Sequence, residues 1–373
     1  MLFRSFWAGA DSPTSSSTPV DSPIQTIGNS TLAVVVPEDG RYYLSVTPLD
    51  TSSNYILGLR TYRPVAEQLP VGVGQVIYMD LDGGFYPASL FLGVDDDGIP
   101  VPGVIRVPSL QESLPNLGIE VADSAALNEL IDKMLAEMER HFAELGVNGN
   151  AGDYDFTGVK GDFGVTILNS RDHADPGSHP LVTRVHVGGV NELFPDNDAL
   201  LGISSTLDVG NFSMDDIVVA FTEPILPAAV PLSPTVSPLT YAAETLAFIG
   251  THEAAHSFGM RHTDATNATI SISDAFLGDR SGRDFIFGTL DDEPTGFVND
   301  FYGNGDGYGG EGIFGLNYIV EGMSNTLVTG LEGGTVSGTV FNDFNRDGSL
   351  IGDSGLPGFS VFADINDNGQ HEP

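Results

Sequence analysis

Residues 250–264, GTHEAAHSFGMRHTD, contain three of the eight histidines of this 373-residue chain within eleven positions. On a helix, His252 and His256 stand one turn apart and share a face, so both imidazoles can reach one ion. Gly259 can adopt a positive φ, which ends a helix and reverses the chain. His262 then returns as a third nitrogen. The stretch therefore predicts a helix, a sharp turn and a reversal of the chain that together bring the three histidines to one point.

The residue types in this stretch predict zinc chemistry. The chain has no cysteine, so histidine and carboxylate must supply any metal ligands. Three imidazoles that leave a fourth position open are typical of catalytic zinc. Glu253 is turned about 100° around the helix from His252, where a carboxylate can take a proton from a zinc-activated water. The alternative is that the histidines merely decorate a buried helix end, but the glycine and third histidine at fixed offsets favour zinc.

HEAAHSFGMRH, residues 252–262, resembles in full the H-E-x-x-H-x-x-G-x-x-H signature of the metzincin clan of zinc endopeptidases. The resemblance implies that Glu253 is the catalytic base and acid and that Gly259 forms the turn. It implies three zinc ligands: His252, His256 and His262. It also implies an α+β catalytic domain, in which a twisted mixed sheet is accompanied by one backing helix and one zinc-binding helix, and a polypeptide substrate bound in extended form.

The metzincin resemblance further implies a loop with a methionine beneath the metal. Met323 is the only methionine after His262 and is the candidate for this Met-turn. Asn325 takes the place of a tyrosine that some metzincins carry two residues later, and its amide can still donate a hydrogen bond. We expect TRVHV, residues 183–187, to be the edge strand beside the substrate, with an inner strand as the open alternative. His186 in this run is expected to be structural.

Hydrophobic periodicity predicts a helix ahead of the sheet. Apolar side chains recur at three- and four-residue steps over residues 122–146, which is typical of an amphipathic helix with one buried face. Asp123 or Ser124 is the expected cap, and Gly146 is the expected stop.

VGQVIYMDL predicts a strand before this helix, and three β-branched runs after the helix predict a sheet: FGVTILNS, PLVTRVHVGG and MDDIVVAFTE. The zinc helix should follow, with Ser237 as its cap and Pro238 at the first helical position, where a missing N–H costs nothing. This helix is expected to run to Gly259.

Turn signals and composition predict flanking parts around a domain of residues 71–330. Residues 1–28 are expected to be a low-complexity leader or linker, residues 29–70 a partial β-sandwich module, and residues 331–373 a truncated β-sandwich repeat. The run 30–64 resembles the closing strands of the bacterial pre-peptidase C-terminal domain. The predicted fold class is therefore an α+β catalytic domain flanked by small all-β modules.

Two C-terminal segments, DFNRDG and DINDNG, repeat the pattern D-x-N-x-[DN]-G, which places oxygen ligands at alternate positions before a turn glycine. Both lack the twelfth-position glutamate of an EF-hand loop and resemble the calcium-binding B-type repeats of bacterial surface adhesins. The alternative is two polar hairpin turns. GVDDDG, residues 93–98, is a further candidate of this kind. The candidate Ca²⁺ ligands in the two repeats are Asp343, Asn345, Asp347, Asp364, Asn366 and Asn368.

The charge balance limits the partners. Asp and Glu number 51 against 14 Lys and Arg, a formal net charge of -37, which repels nucleic acid and anionic membranes and favours bound cations. No run approaches the roughly 20 apolar residues of a membrane span, and the N-terminal apolar segment is too short for a signal peptide. We expect a monomer that binds a polypeptide and no nucleic acid. The flanking β modules would attach it to a cell surface.

The main hypothesis is a secreted or cell-surface bacterial zinc endopeptidase with Glu253 as general base and acid. Its alternative is a calcium-dependent cell-surface adhesive or scaffold protein in which the zinc site is vestigial. A zinc amidase that acts on a non-protein substrate is a third possibility, which the extended histidine motif disfavours.

Overall fold

The computed structural model describes the following residues: 7–8, 18–19, 22–24, 32–37, 40, 42, 61–93, 99–152, 161–177, 179–189, 200–213, 215–225, 227–274, 281–292, 295–303, 313–331, 338–342 and 354–356. Within them the chain combines helices with a mixed β-sheet. The predicted α+β class is confirmed at this level.

The helices and strands are numbered in chain order. The α-helices are α1 Ser89–Leu92, α2 Leu110–Ser113, α3 Ser124–Asn148, α4 Pro238–His256 and α5 Ile319–Thr326. The 3₁₀ helices are Ala66–Gln68, Leu114–Leu117 and Pro227–Ala229. The strands are β1 Trp7–Ala8, β2 Gln75–Asp80, β3 Gly84–Pro87, β4 Val104–Val107, β5 Asp162–Phe163, β6 Val165–Asn169, β7 Val182–Val187, β8 Gly202–Ser204, β9 Asp215–Ala220, β10 Asp300–Phe301, β11 Ile313–Phe314, β12 Leu316–Asn317, β13 Val328–Thr329, β14 Phe341–Asn342 and β15 Ser354–Gly355.

A five-stranded sheet lies at the centre, in the order β6-β2-β7-β9-β8. The first four are parallel to one another, and β8 pairs antiparallel with β9 at one edge. The four runs predicted as strands are β2, β6, β7 and β9. Side chains alternate between the two faces, and α3 and α4 bury their apolar residues against one face, with Ile77, Val185 and Val218 in that core.

TRVHV is an inner strand, so the edge-strand expectation for residues 183–187 is wrong. These residues belong to β7, which pairs with β2 on one side and with β9 on the other. Five of its six residues are buried, as expected for a strand with neighbours at both edges and cover on both faces. Chain order carries no information on pairing, and the edge nearest α4 is β8.

Helix α3 begins where the sequence predicts and ends later. The side chain of Asp123 caps it by accepting a hydrogen bond from the amide of Ala126 at 3.0 Å. Gly146 does not stop the helix, which continues to Asn148 with Gly149 as its C-cap. Gly146 has a packing role, because a Cβ atom there would lie 2.5 Å from the ring of Phe163.

Helix α4 begins as predicted and is buried nearly all round. Ser237 accepts a hydrogen bond from the amide of Thr240 at 3.0 Å, and Pro238 is the first helical residue. Thirteen of its 19 residues are buried, which is typical of a core helix. The helix ends at His256, and residues 257–259 form a turn, so the predicted end at Gly259 is three residues too late.

The predicted flanking modules fall largely outside the described residues. All six candidate Ca²⁺ ligands lie outside them, as do residues 94–98 of GVDDDG. Of the run 30–64, residues 32–37, 40, 42 and 61–64 are described, and none of them is in a strand. Near the C-terminus, β14 and β15 form an antiparallel pair around the first calcium-like segment.

Candidate metal centre

A tight turn at the end of α4 brings the third histidine back to the first two. The amide of Gly259 donates to the carbonyl of His256, and that of Met260 donates to the carbonyl of Ala255, both at 3.0 Å. Gly259 has φ = 86°. This pair of bonds around a left-handed residue is a Schellman motif, which satisfies the last carbonyls of the helix and reverses the chain. His262 is thereby placed opposite His252 and His256.

The three imidazoles converge on one point. The Nε2 atoms of His252 and His256 are 3.2 Å apart. The ring of His262 has its centroid 5.3 Å from that of His252 and 4.8 Å from that of His256. One ligand nitrogen from each residue lies within 4.8 Å of the others, and this is the only such cluster of His, Asp or Glu within the described residues. The sequence prediction of three convergent histidines therefore holds in the geometry.

Two backbone carbonyls fix the orientation of the rings. His252 Nδ1 donates to the carbonyl of Ile272 at 2.5 Å, and His256 Nδ1 donates to that of Met260 at 2.7 Å. Because a carbonyl can only accept, Nδ1 carries the proton in both rings and the Nε2 lone pairs face each other. Burial, and then the charges of His256 and His262, lower the pKa of His252 well below its ordinary value. His252 is therefore a neutral ring at pH 7, the form that binds metal.

This arrangement fits a zinc ion. Two nitrogens at the corners of a tetrahedral site with Zn–N bonds of roughly 2.0–2.1 Å lie about 3.3 Å apart, close to the 3.2 Å between His252 and His256. Facing lone pairs repel each other unless a cation or a proton lies between them. All three candidate ligands are imidazole nitrogens, the set found in His₃ catalytic zinc sites.

Glu253 stands beside the histidines in a desolvated position. The residue is only 7% exposed. Burial raises the pKa of Glu253 to about 8. A cation in the adjacent histidine cluster favours the ionised form of such a carboxyl group. Glu253 is thus next to the histidine cluster, and its pKa would fall when a metal ion binds there.

The edge strand β8 closes over Glu253. A Cβ atom on Gly202 would lie 2.7 Å from both Cγ and Oε1 of Glu253, so only a glycine fits here. The backbone carbonyl of Leu201 accepts a hydrogen bond from the amide of Phe221, and the amide of Ser205 donates one to the carbonyl of Ile217. These odd-numbered positions face β9, so the backbone groups of Gly202 and Ser204 point to the other side, where the described part of the chain offers no strand.

Met323 lies near the turn but not in a loop. It belongs to α5, is 1% exposed, and lines a small pocket together with Phe258 and Gly259. The expected loop conformation is wrong, because Ile319, Val320 and Met323 are buried at helical spacing and hold the segment as a helix.

Asn325 does not face the metal centre. Its Oδ1 accepts a hydrogen bond from the amide of Gly152 at 2.9 Å, and its Nδ2 donates to the carbonyls of Val36 and Pro37 at 3.1 Å each. Both N–H groups are thereby engaged with the backbone, so the amide of Asn325 does not donate toward the metal centre.

His186 is structural, as expected. It is fully buried on the face of the sheet away from α3 and α4, because it alternates with the core residue Val185. Its Nε2 hydrogen-bonds the hydroxyl of Tyr86 in the β3–β4 hairpin, which covers that face. Burial, and then the charge of Asp80, raise the pKa of Tyr86 to about 12, so the hydroxyl stays protonated.

Sequence reasoning missed the residues that support the centre from a distance. Gly202 carries a signal only as a glycine inside a short β run, which marks a close approach of another group. The carbonyl of Ile272 carries none, since a backbone acceptor has no residue type. His141 on α3 hydrogen-bonds Thr251 at 3.0 Å and so links the backing helix to the residue before His252. The position of His141 among the buried residues of α3 is the sequence signal that could have indicated this role.

No protein-family model, curated protein or solved structure matches this chain. Among the helices of the described residues, none is long and apolar enough to cross a bilayer.

Proposed function

We propose that this chain is a zinc-dependent endopeptidase with a metzincin-like catalytic domain. The observation that carries the proposal is the convergence of His252, His256 and His262 with the buried carboxyl group of Glu253 beside them. The chain order of a first sheet strand β2, the backing helix α3, the remaining strands of the sheet and the histidine-bearing helix α4 supports the metzincin-like assignment. Secretion or a cell-surface location, and surface attachment through the flanking segments, belong to the same proposal.

Each ligand residue has a defined task. His252, His256 and His262 would hold Zn²⁺ through ring nitrogens whose orientation is set, for the first two, by the carbonyls of Ile272 and Met260. A bound zinc ion would supply a Lewis acid that polarises a carbonyl group and acidifies a water molecule. Three protein ligands would leave a fourth coordination position open for a water molecule or a substrate.

Glu253 is the proton carrier. As a carboxylate it accepts a proton from the attacking water, and as a carboxylic acid it returns that proton to the leaving amine. The pKa of about 8 in the metal-free chain places the group near the range where both transfers are feasible at neutral pH. The surrounding burial keeps bulk water from competing for the proton.

An extended peptide is the substrate that fits the adjacent edge. The outward-facing backbone groups of Gly202 and Ser204 offer the hydrogen bonds of one more strand. Because Gly202 packs directly on Glu253, a peptide paired there would run past the proposed base. This juxtaposition favours a polypeptide substrate over the small non-protein substrate of an amidase.

The test compares Glu253→Gln with wild type on unfolded casein, with zinc content measured on the same samples. The amide is isosteric, so it preserves packing but cannot take a proton. We expect casein cleavage to fall by at least about 100-fold while zinc content stays the same. The matched control is Glu139→Gln at an exposed position of α3, which should leave both readouts unchanged. Full activity in Glu253→Gln would contradict the assignment of the base.

Calcium is varied separately from zinc in the same assay. The endopeptidase hypothesis predicts that casein cleavage follows zinc. The calcium-dependent adhesive alternative predicts no cleavage of casein at any metal concentration.

A further inference from the structure

We propose that residues 32–37, here called the strap, form a positioning element of the metal centre and that Asn325 is the residue that holds it. The proposal rests on the proposed zinc site and concerns its regulation by a segment of the chain more than 200 residues away in sequence.

Asn325 recognises the strap through backbone carbonyls. Its side chain is fully buried, an environment in which an amide is costly unless its polar atoms are paired. The pairing comes from the strap: Nδ2 donates to the carbonyls of Val36 and Pro37 at 3.1 Å each. Its Oδ1 meanwhile accepts from the amide of Gly152. One side chain therefore ties the strap, α5 and the end of the α3 region together.

A second asparagine reinforces the attachment. Asn150 Nδ2 donates to the carbonyl of Pro37 at 2.7 Å, so this carbonyl accepts two hydrogen bonds. Pro37 is itself buried and lacks an N–H group, which leaves its carbonyl as the only backbone group to satisfy. The C-terminal end of the strap is therefore anchored at one point by Asn150 and Asn325.

The other end of the strap lies behind the turn of the metal centre. Ala33, Val34 and Val35 line a pocket of about 40 Å³ together with Phe258 and Gly259. Phe258 and Gly259 are two of the five residues between the second and third histidine ligands. The strap thus forms one wall of the pocket against which the turn rests.

The strap should affect the position of His262 more than that of the other two ligands. His252 and His256 are on α4, which the core holds on all sides, whereas His262 depends on the turn. If the strap is released, water enters the pocket and the turn loses apolar packing on one side. We expect the zinc affinity to fall by about 10-fold, the size of effect seen when groups that orient metal ligands are removed.

Asn325→Asp is the test variant, studied in the full chain. The carboxylate keeps an acceptor for the amide of Gly152 but loses both donors, and it repels the strap carbonyls. Asn148→Asp is the matched control, because it makes the same change at an exposed position at the end of α3. Asn150→Asp is a second test variant that loses one donor at a half-buried position, and it keeps the test valid if Asn325→Asp does not fold.

Two measurements are made on each folded variant, well below its unfolding temperature. The first is the rate at which a serine protease specific for small aliphatic residues cuts the metal-free chain within the strap, read from fragment masses. The second is the zinc dissociation constant from competition with a chromophoric chelator. A role in stability alone would lower the unfolding temperature without changing the dissociation constant of the folded protein.

We expect Asn325→Asp, and to a smaller degree Asn150→Asp, to be cut about ten times faster, because loss of the hydrogen bonds to the strap raises the population of its open form. We expect the same variants to bind zinc about ten times more weakly. Asn148→Asp should match wild type in both. Unchanged cleavage in the folded test variants would overturn the docking of the strap. Faster cleavage with unchanged zinc affinity would overturn the positioning role alone, whereas a wild-type chain that binds no zinc would contradict the proposed function and the positioning role together.

Discussion

Gly259→Ala is the most informative single substitution, because the third ligand depends on the turn at this position. The residue has φ = 86°, a region that costs an L-amino acid roughly 1–2 kcal/mol. A Cβ atom would also lie 2.8 Å from Cα of Val209 and 3.3 Å from the carbonyl oxygen of Asp208. Both are backbone atoms, so no side-chain rotation relieves the contact.

The magnitude follows from these two costs. Forced overpacking costs roughly 1–3 kcal/mol, so the alanine should destabilise the fold by about 2–5 kcal/mol in all. The amide of Asp208 donates to the carbonyl of His256 at 3.0 Å, which couples the clashing segment to the helix end. The strain is therefore relieved next to the ligands, and His262 should be displaced from the cluster.

The assay is urea-induced unfolding of the metal-free chain together with zinc titration of the folded chain. Gly322→Ala is the matched control, because it lies in α5 near the same pocket and its Cβ would meet nothing within 4 Å. This control should be unchanged or more stable by up to about 1 kcal/mol. If Gly259→Ala matches Gly322→Ala in both stability and zinc affinity, the role assigned to the turn is refuted.

Three further predictions concern neighbouring features. Gly202→Ala should lower casein cleavage but not zinc content, because the new methyl group displaces the carboxyl group of Glu253. The control is Gly164→Ala, whose Cβ atom would meet nothing within 4 Å. Equal casein cleavage by the two variants would contradict the prediction. Burial acts to raise the pKa of Glu137, but hydrogen bonds from His141 and Arg140 bring it down to about 2 from the ordinary 4.5. The stabilisation by Glu137 is thus present above pH 4.5 and lost as pH falls toward 2, so Glu137→Gln should lower the unfolding free energy at pH 7 and differ less from wild type at pH 3; a constant difference would contradict this. Phenanthroline should abolish casein cleavage, and added zinc should restore it; cleavage that survives removal of the metal would argue against a zinc enzyme.

Features set by local sequence could be predicted well. The caps Asp123 and Ser237 act within three residues of themselves, and the His252–His262 cluster is fixed by one helix and one turn. Side-chain identity and short spacing are sufficient in each case.

Features set by distant contacts could not be predicted in the same way. The ring of Phe163 explains why a glycine stands at position 146 inside the helix, and the strap explains why Asn325 turns away from the metal centre. The inner position of β7 likewise depends on pairing with strands that are remote in sequence. Sequence pattern gives the faces and periods of elements, but not which element lies next to which.

The most direct test of the central claim is the zinc stoichiometry of the wild-type chain beside His262→Ala, with His173→Ala as the control for an exposed histidine. Metal-free protein is saturated with zinc, freed of excess metal, and analysed by atomic emission. Three convergent imidazoles predict one zinc per chain in wild type and in His173→Ala, and substantially less in His262→Ala. A wild-type chain without zinc, or a full zinc ion in His262→Ala, would contradict the proposed metal centre.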